Sequence, residues 1–116
     1  RYVEAPLRYR VLLRTERPED GLVVFRLRRR GAAVEATICD VLVPRGDRFG
    51  AHVLLRRVAH ATRADYLIRV QRDRLGPGWC VRAPGLGPTL TWRPLANPVR
   101  PDLSTWDLRL GDVELF

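Results

Sequence analysis

"VLVPRGDRFGAHVLLRRV", residues 41–58, is the stretch on which the reading of the fold turns. It opens with the apolar end of a strand, passes through a short loop holding Gly46, Asp47 and Gly50, and then changes period. Ala51, Leu54, Leu55, Val58, Ala59 and Thr62 fall at i, i+3, i+4, i+7, i+8 and i+11, which is one face of a helix. His52, Arg56, Arg57, His60 and Arg63 occupy the other side. Asp47 stands just ahead of the apolar stripe, where an N-cap belongs. The next apolar run, Asp65 to Val70 (DYLIRV), reads as a strand. A strand, a helix and a strand joined this closely predict a crossover, and so one parallel strand pair.

Upstream the period is that of strands. Tyr9 to Arg14 (YRVLLR) is a short apolar run, and Thr15 to Gly21 (TERPEDG) is a polar turn punctuated by Pro and Gly. From Leu22 to Arg30, Val23, Phe25 and Leu27 alternate with Val24, Arg26 and Arg28, the pattern of a half-buried strand. Gly31-Ala32-Ala33 makes a tight connection to Val34–Val43, a longer strand that becomes apolar on both faces toward its end, as a central strand does. These three strands predict an antiparallel meander. Downstream, Trp79–Arg82 and Thr89–Pro94 read as a closing hairpin around APGLGP. The tail beyond is irregular and Pro-rich before WDLRLGDVELF, which supplies apolar residues to cover an edge. The fold class expected is therefore α+β: a mostly antiparallel mixed sheet with one crossover helix, in a single domain over residues 1–116 with no internal repeat.

Composition narrows the function classes. With 46% apolar and 29% charged residues in 116, the chain is globular rather than disordered. No apolar run approaches the roughly 20 residues that span a bilayer, and the N-terminus has no signal-peptide pattern, so no membrane partner is expected and the cytoplasm is the expected compartment. Methionine is absent, which reads as a piece of a longer protein.

The formal charge is +8, and all 21 basic residues are Arg. Such a charge invites a nucleic-acid reading. The abundance of Arg, Ala, Gly, Pro, Leu and Val is instead that of a GC-rich coding bias, and nucleic acid is not the expected partner. Arg28-Arg29-Arg30 reads as a solvated strand end, with an acidic ligand or nucleic acid as the alternative.

Candidate chemistry is sparse. Cys39 and Cys80 are too widely spaced, and accompanied by too few His, to make a metal site; Cys39 reads as a core residue, and no disulfide is expected. His52 and His60 fall on the polar helix face. Asp40 is either a base acting through a water or a buried carboxylate satisfied by an Arg. Trp79, Trp92 and Trp106 read as core and edge cover, and Tyr66 as a packed strand residue.

The crossover loop is the exception. Where a helix begins, its first N–H groups lack intrahelical partners and the dipole favours an anion. Gly46 and Gly50, with Arg45 and Arg48 beside them, allow a phosphate to approach the backbone, whereas the Asp47 carboxylate repels one. A phosphate cradle and a plain crossover bend both fit these residues.

Taken in order, "ATICDVLVPRGD…GAHVLLRRVAHATRADYLIRV" (Ala36 to Val70) and the Gly78-Trp79 pair resemble the later half of a GNAT-family N-acetyltransferase, over about residues 7–95. The resemblance implies the C-terminal portion of that fold and a cleft for acetyl-CoA or another acyl-CoA where the central strand and the following parallel strand splay apart. Leu42 and Val43 would offer backbone groups to the pantetheine, and Arg45, Gly46, Gly50 and Ala51 would hold the pyrophosphate. Catalysis would be attack of an amine on the thioester, aided by a general base and acid. The family's Arg/Gln-x-x-Gly-x-Gly/Ala spacing is not kept, and RDRLGPG follows Val70 where the family places a helix with an acid Tyr, so the catalytic residues stay unassigned. The acceptor half would come from the remainder of a longer chain or from a second chain, since only eight residues precede Tyr9. The missing layer would leave one sheet face exposed. The alternative is a non-catalytic interaction or structural module that has lost cofactor binding.

Overall fold

A computed structural model describes residues 8–70. The expected closing hairpin, the tail, Cys80 and the three Trp residues lie outside the described residues. Within them run β1 (Arg10–Leu13), β2 (Leu22–Arg30), β3 (Ala33–Leu42), α1 (Arg48–Thr62) and β4 (Tyr66–Ile68). The sheet order is β1-β2-β3-β4. β1–β2 and β2–β3 are antiparallel, whereas β3–β4 is parallel and joined through α1. This is an α+β fold with a four-stranded mixed sheet and one helix, as the change of period predicts.

The turn between β1 and β2 tightens into one 3-10 turn at Pro18–Asp20. It is closed by Arg14 N–H donating to the Gly21 carbonyl at 2.8 Å and by Thr15 Oγ1 donating to Asp20 Oδ2 at 2.6 Å. Gly21 has φ of 128°, and a Cβ there would lie 3.1 Å from Val43 Cγ1 and 3.2 Å from the Leu42 carbonyl. The conformation therefore calls for glycine, and a Cβ there would also press on these neighbours.

Helix α1 begins where Asp47 caps it and ends at Arg63, which takes the left-handed conformation (φ 51°). Its apolar stripe lands on one sheet face. Leu54, Leu55 and Val58 pack with Val23, Phe25, Ala36 and Ile38 into one buried cluster. Val23, Leu54 and Val58 are fully buried, each such side chain contributing about 1.5–3 kcal/mol. Leu12, Leu27, Val41, Val43, Ala64 and Leu67 close the rim of this core.

β3 departs from the expectation of growing apolar burial toward its end. Its middle, Glu35 to Cys39, is buried on both faces, but Asp40 and Val41 are half-buried and Leu42 is 48% exposed. The cause is local. Phe25 pairs with Ile38 while Val24 pairs with Asp40, so Cys39 is an extra residue in a β-bulge. Pairing with β4 runs only from Glu35↔Tyr66 to Thr37↔Ile68. β4 ends at Ile68, so β3 runs on beyond its last parallel pair from Ile38 to Leu42.

The sheet face away from α1 is not the bare surface expected of a half-fold. Val24, Arg26, Glu35, Thr37 and Cys39 are buried; among the described residues, Val11, Leu42, Tyr66 and Ile68 are the exposed large apolar side chains of its strands.

Candidate functional site

The crossover loop gathers all six residues named for the cofactor at one end of α1. Leu42 ends β3 and is exposed, and Val43 turns its side chain into the rim of the core. Arg45 and Gly46 are exposed, with Gly46 at φ of 84°, in a turn closed by Asp47 N–H to the Pro44 carbonyl at 3.0 Å and Arg48 N–H to the Gly46 carbonyl at 2.8 Å. Gly50 is buried and Ala51 half-buried, both in the first turn of α1.

Asp47 decides the electrostatics of this loop. Its Oδ1 accepts from Gly50 N–H at 2.7 Å, its own carbonyl accepts from Ala51 N–H at 3.2 Å, and its Oδ2 is ion-paired with Arg14 Nη1. The N–H of Gly50 and the guanidinium of Arg14 together hold this carboxyl below the usual carboxylate range. The position that an anion favours at a helix N-terminus is thus taken by a side chain of the chain itself. Gly50 serves this arrangement, since a Cβ on it would lie 2.6 Å from Arg14 Nη1. The positive charges that still face outward are Arg45 and Arg48, both exposed.

A second polar cluster lies on the sheet face away from α1. Glu35, 4% exposed, accepts from Thr37 Oγ1 at 2.9 Å through Oε1 and from the Tyr66 hydroxyl at 3.0 Å through Oε2. Arg30 Nε stands 3.6 Å from the same Oε2. The hydrogen bond to Glu35, then burial, then the carboxylate's charge push the Tyr66 phenol above its ordinary range. Tyr66 was expected to be packed; it is 39% exposed, and its hydroxyl is anchored on Glu35. The sequence reading overlooked Glu35 and Arg14. Only the cross-strand register and the helix cap bring them to their partners, and no local motif marks either.

The remaining candidates are placed as follows. Asp40 sits at the bulge, half-buried, and its Oδ1 accepts from Val41 N–H at 2.8 Å. His60 is exposed, while His52 is half-buried. Cys39 is buried, with its thiol donating to the Thr37 carbonyl at 3.7 Å. Among the described residues no group of His, Cys, Asp and Glu could hold a metal ion, and no helix is long and apolar enough to cross a membrane.

No protein-family model matches this chain, and neither the curated proteins nor the solved structures hold a match to it.

Proposed function

We propose that this chain is the cofactor-binding half of an acyl-CoA-dependent N-acyltransferase-like protein of the GNAT type, with the acceptor half supplied by the rest of a longer chain or by a second chain. The observation that supports this reading most is the behaviour of β3. It stays extended from Ile38 to Leu42 beyond the last residue paired with β4, and it runs directly into the loop of Arg45, Gly46 and Arg48. A bulge at Cys39, in the pairing with β2, bends the strand just past that last pair. Pantetheine carries two amides, and an extended amide chain seated beside β3 can be held as an added strand is. Arg45 and Arg48 would meet the phosphates from the outer side of the loop, rather than from the Gly50 N–H already engaged by Asp47. The amine would then attack the thioester carbonyl, forming the amide and releasing coenzyme A as thiol.

The occupied helix N-terminus favours the second reading, a non-catalytic module of the same shape. Asp47 fills the anion position and would repel a pyrophosphate drawn to it.

Calorimetric titration with acetyl-CoA and with free coenzyme A separates the two. Micromolar binding of both ligands, weakened by Arg45→Glu, supports the acyltransferase half. No heat up to millimolar ligand, from a sample shown folded by circular dichroism, overturns it in favour of the module.

A further inference from the structure

Helix α1 turns a cationic face away from the sheet. At about 100° per residue, Phe49, Arg56 and His60 stand opposite Leu54 and Val58, which lie in the core. Arg48, His52, Arg56 and His60 recur at i, i+4, i+8 and i+12 and so form one row along the helix. At a rise of 1.5 Å per residue the row is about 18 Å long. Exposed Arg63 at the C-cap extends it, and exposed Arg45 lies ahead of it in the loop. No Asp or Glu stands between Arg48 and Arg63. The carboxylates that flank the helix are engaged elsewhere: Asp47 with Gly50 N–H and Arg14, and Asp65 through Oδ2 with Val34 N–H at 2.7 Å. Arg57 leaves this face, donating to the Arg14 carbonyl at 2.6 Å. Phe49, 72% exposed, is the most exposed large apolar side chain among the described residues, and it stands beside the row, three residues before His52 and seven before Arg56. Coding bias accounts for the number of Arg residues but not for an acid-free row with an aromatic ring set in it.

We propose that the outer face of α1 is a binding surface for single-stranded nucleic acid. Arg48, Arg56 and Arg63 would meet phosphates along the strand, and Phe49 would stack on an unpaired base. Every base has a π-face, so the surface would be tolerant of sequence. An anionic bilayer fits less well, because an amphipathic helix enters a membrane by its apolar face and that of α1 is buried against the sheet. A duplex fits less well too, since its bases stay stacked on one another and Phe49 would find no free ring face. The surface shares only Arg45 and Arg48 with the loop proposed for acyl-CoA, and it stands whether or not that loop binds the cofactor.

The test uses the whole chain and fluorescein-labelled oligothymidylate and oligouridylate of about 12 nucleotides, within the span that such surfaces cover, read by anisotropy across a salt series. Saturable binding at low salt is expected. The slope of log affinity against log salt should be about −2, as for three phosphates of a single strand. Arg56→Gln should flatten that slope by about 0.7, and Phe49→Ala should weaken binding about tenfold. Both side chains are exposed, so circular dichroism of the two variants should match the parent chain. Arg29→Gln, at the exposed end of β2, removes the same net charge and should leave the affinity unchanged. Tighter binding of one oligonucleotide identifies DNA or RNA as the source, and either result upholds the surface. No binding at low salt, or equal losses in Arg29→Gln and Arg56→Gln, overturns the proposal. Undiminished affinity in Phe49→Ala, or a duplex of equal length bound as tightly, overturns the assignment to a single strand. Stronger retention on phosphatidylserine vesicles than on the oligonucleotides overturns it in favour of a membrane.

Discussion

Arg14, just past the end of β1, is ion-paired with Asp47, the N-cap of α1, across a sequence separation of 33 residues. Arg57 of α1 donates from Nη1 to the Arg14 carbonyl at 2.6 Å, so the same segment is tied to the helix at a second point. Packing of the apolar stripe holds α1 against the sheet. These polar contacts fix its N-terminal end above the β1–β2 turn, and with it the crossover loop.

Asp47 should give the protein an acid-sensitive component of stability. Its folded pKa lies below its unfolded one, so the contribution is complete above the unfolded value and is lost as pH falls through the folded value, below about pH 4. Thermal melts followed by circular dichroism should show the parent chain losing stability in that range. Asp47→Ala should be less stable at neutral pH, and the gap between the two should narrow in acid. Parallel curves at every pH would show that the cap and its Arg14 partner contribute nothing.

Replacing Gly50 should injure the fold before it injures any ligand. The added Cβ of Gly50→Ala meets the Arg14 guanidinium and the Asp47 carboxylate, so the ion pair must open. The expected cost is about 1–3 kcal/mol, in the range of overpacked sites. Denaturant midpoints of Gly50→Ala in the parent background and in Arg14→Gln measure the coupling, and a smaller loss in the Arg14→Gln background is expected.

Leu54 is the centre of the core, fully buried against β2 and β3. Leu54→Ala should cost about 3–5 kcal/mol through lost transfer energy and the cavity left behind. Ala59, half-buried at the edge of the stripe, offers a contrast: Ala59→Ser should cost less than about 1 kcal/mol. Urea unfolding of both variants checks the difference, and equal losses would place the core elsewhere.

Tyr66 should produce the opposite limb. Its folded pKa is raised, so its contribution is complete below the unfolded value of about 10 and disappears as pH rises through the folded value. The parent chain should lose stability on the alkaline side relative to Tyr66→Phe. The variant should also lack one late-titrating phenol in ultraviolet difference spectra. A phenol at position 66 that titrates with the free amino acid would rule out the bond to Glu35 in solution.

The elements that carry the fold were legible because each rests on short-range pattern. The alternation over Leu22–Arg30 marks β2, the stripe from Ala51 to Thr62 marks the body of α1, and Asp47 marks its start, four residues before the stripe. The parallel pair followed from chain economy, since a helix carries β3 across to β4. The bulge at Cys39 left no mark in the sequence, because it is set by the register between β2 and β3 rather than by any one residue type. The six residues named for the loop are neighbours in sequence, yet what already fills that loop was not visible. Asp47 stood out in the sequence as a cap and as a carboxylate hostile to phosphate, while Arg14 gave no reason to be counted with it.

The sequence by itself therefore determined the order and kind of the elements, the helix cap and the apolar face, because these depend on periods of two and 3.6 and on groups within a few residues of each other. Tertiary structure alone decided which charges meet. The pairing of Arg14 with Asp47, the enclosure of Glu35 by Thr37, Tyr66 and Arg30, and the buried, unpartnered Nε of Arg26 arise from strand register and helix placement. Electrostatic interaction depends on distance and burial in space, and neither is a function of separation along the chain.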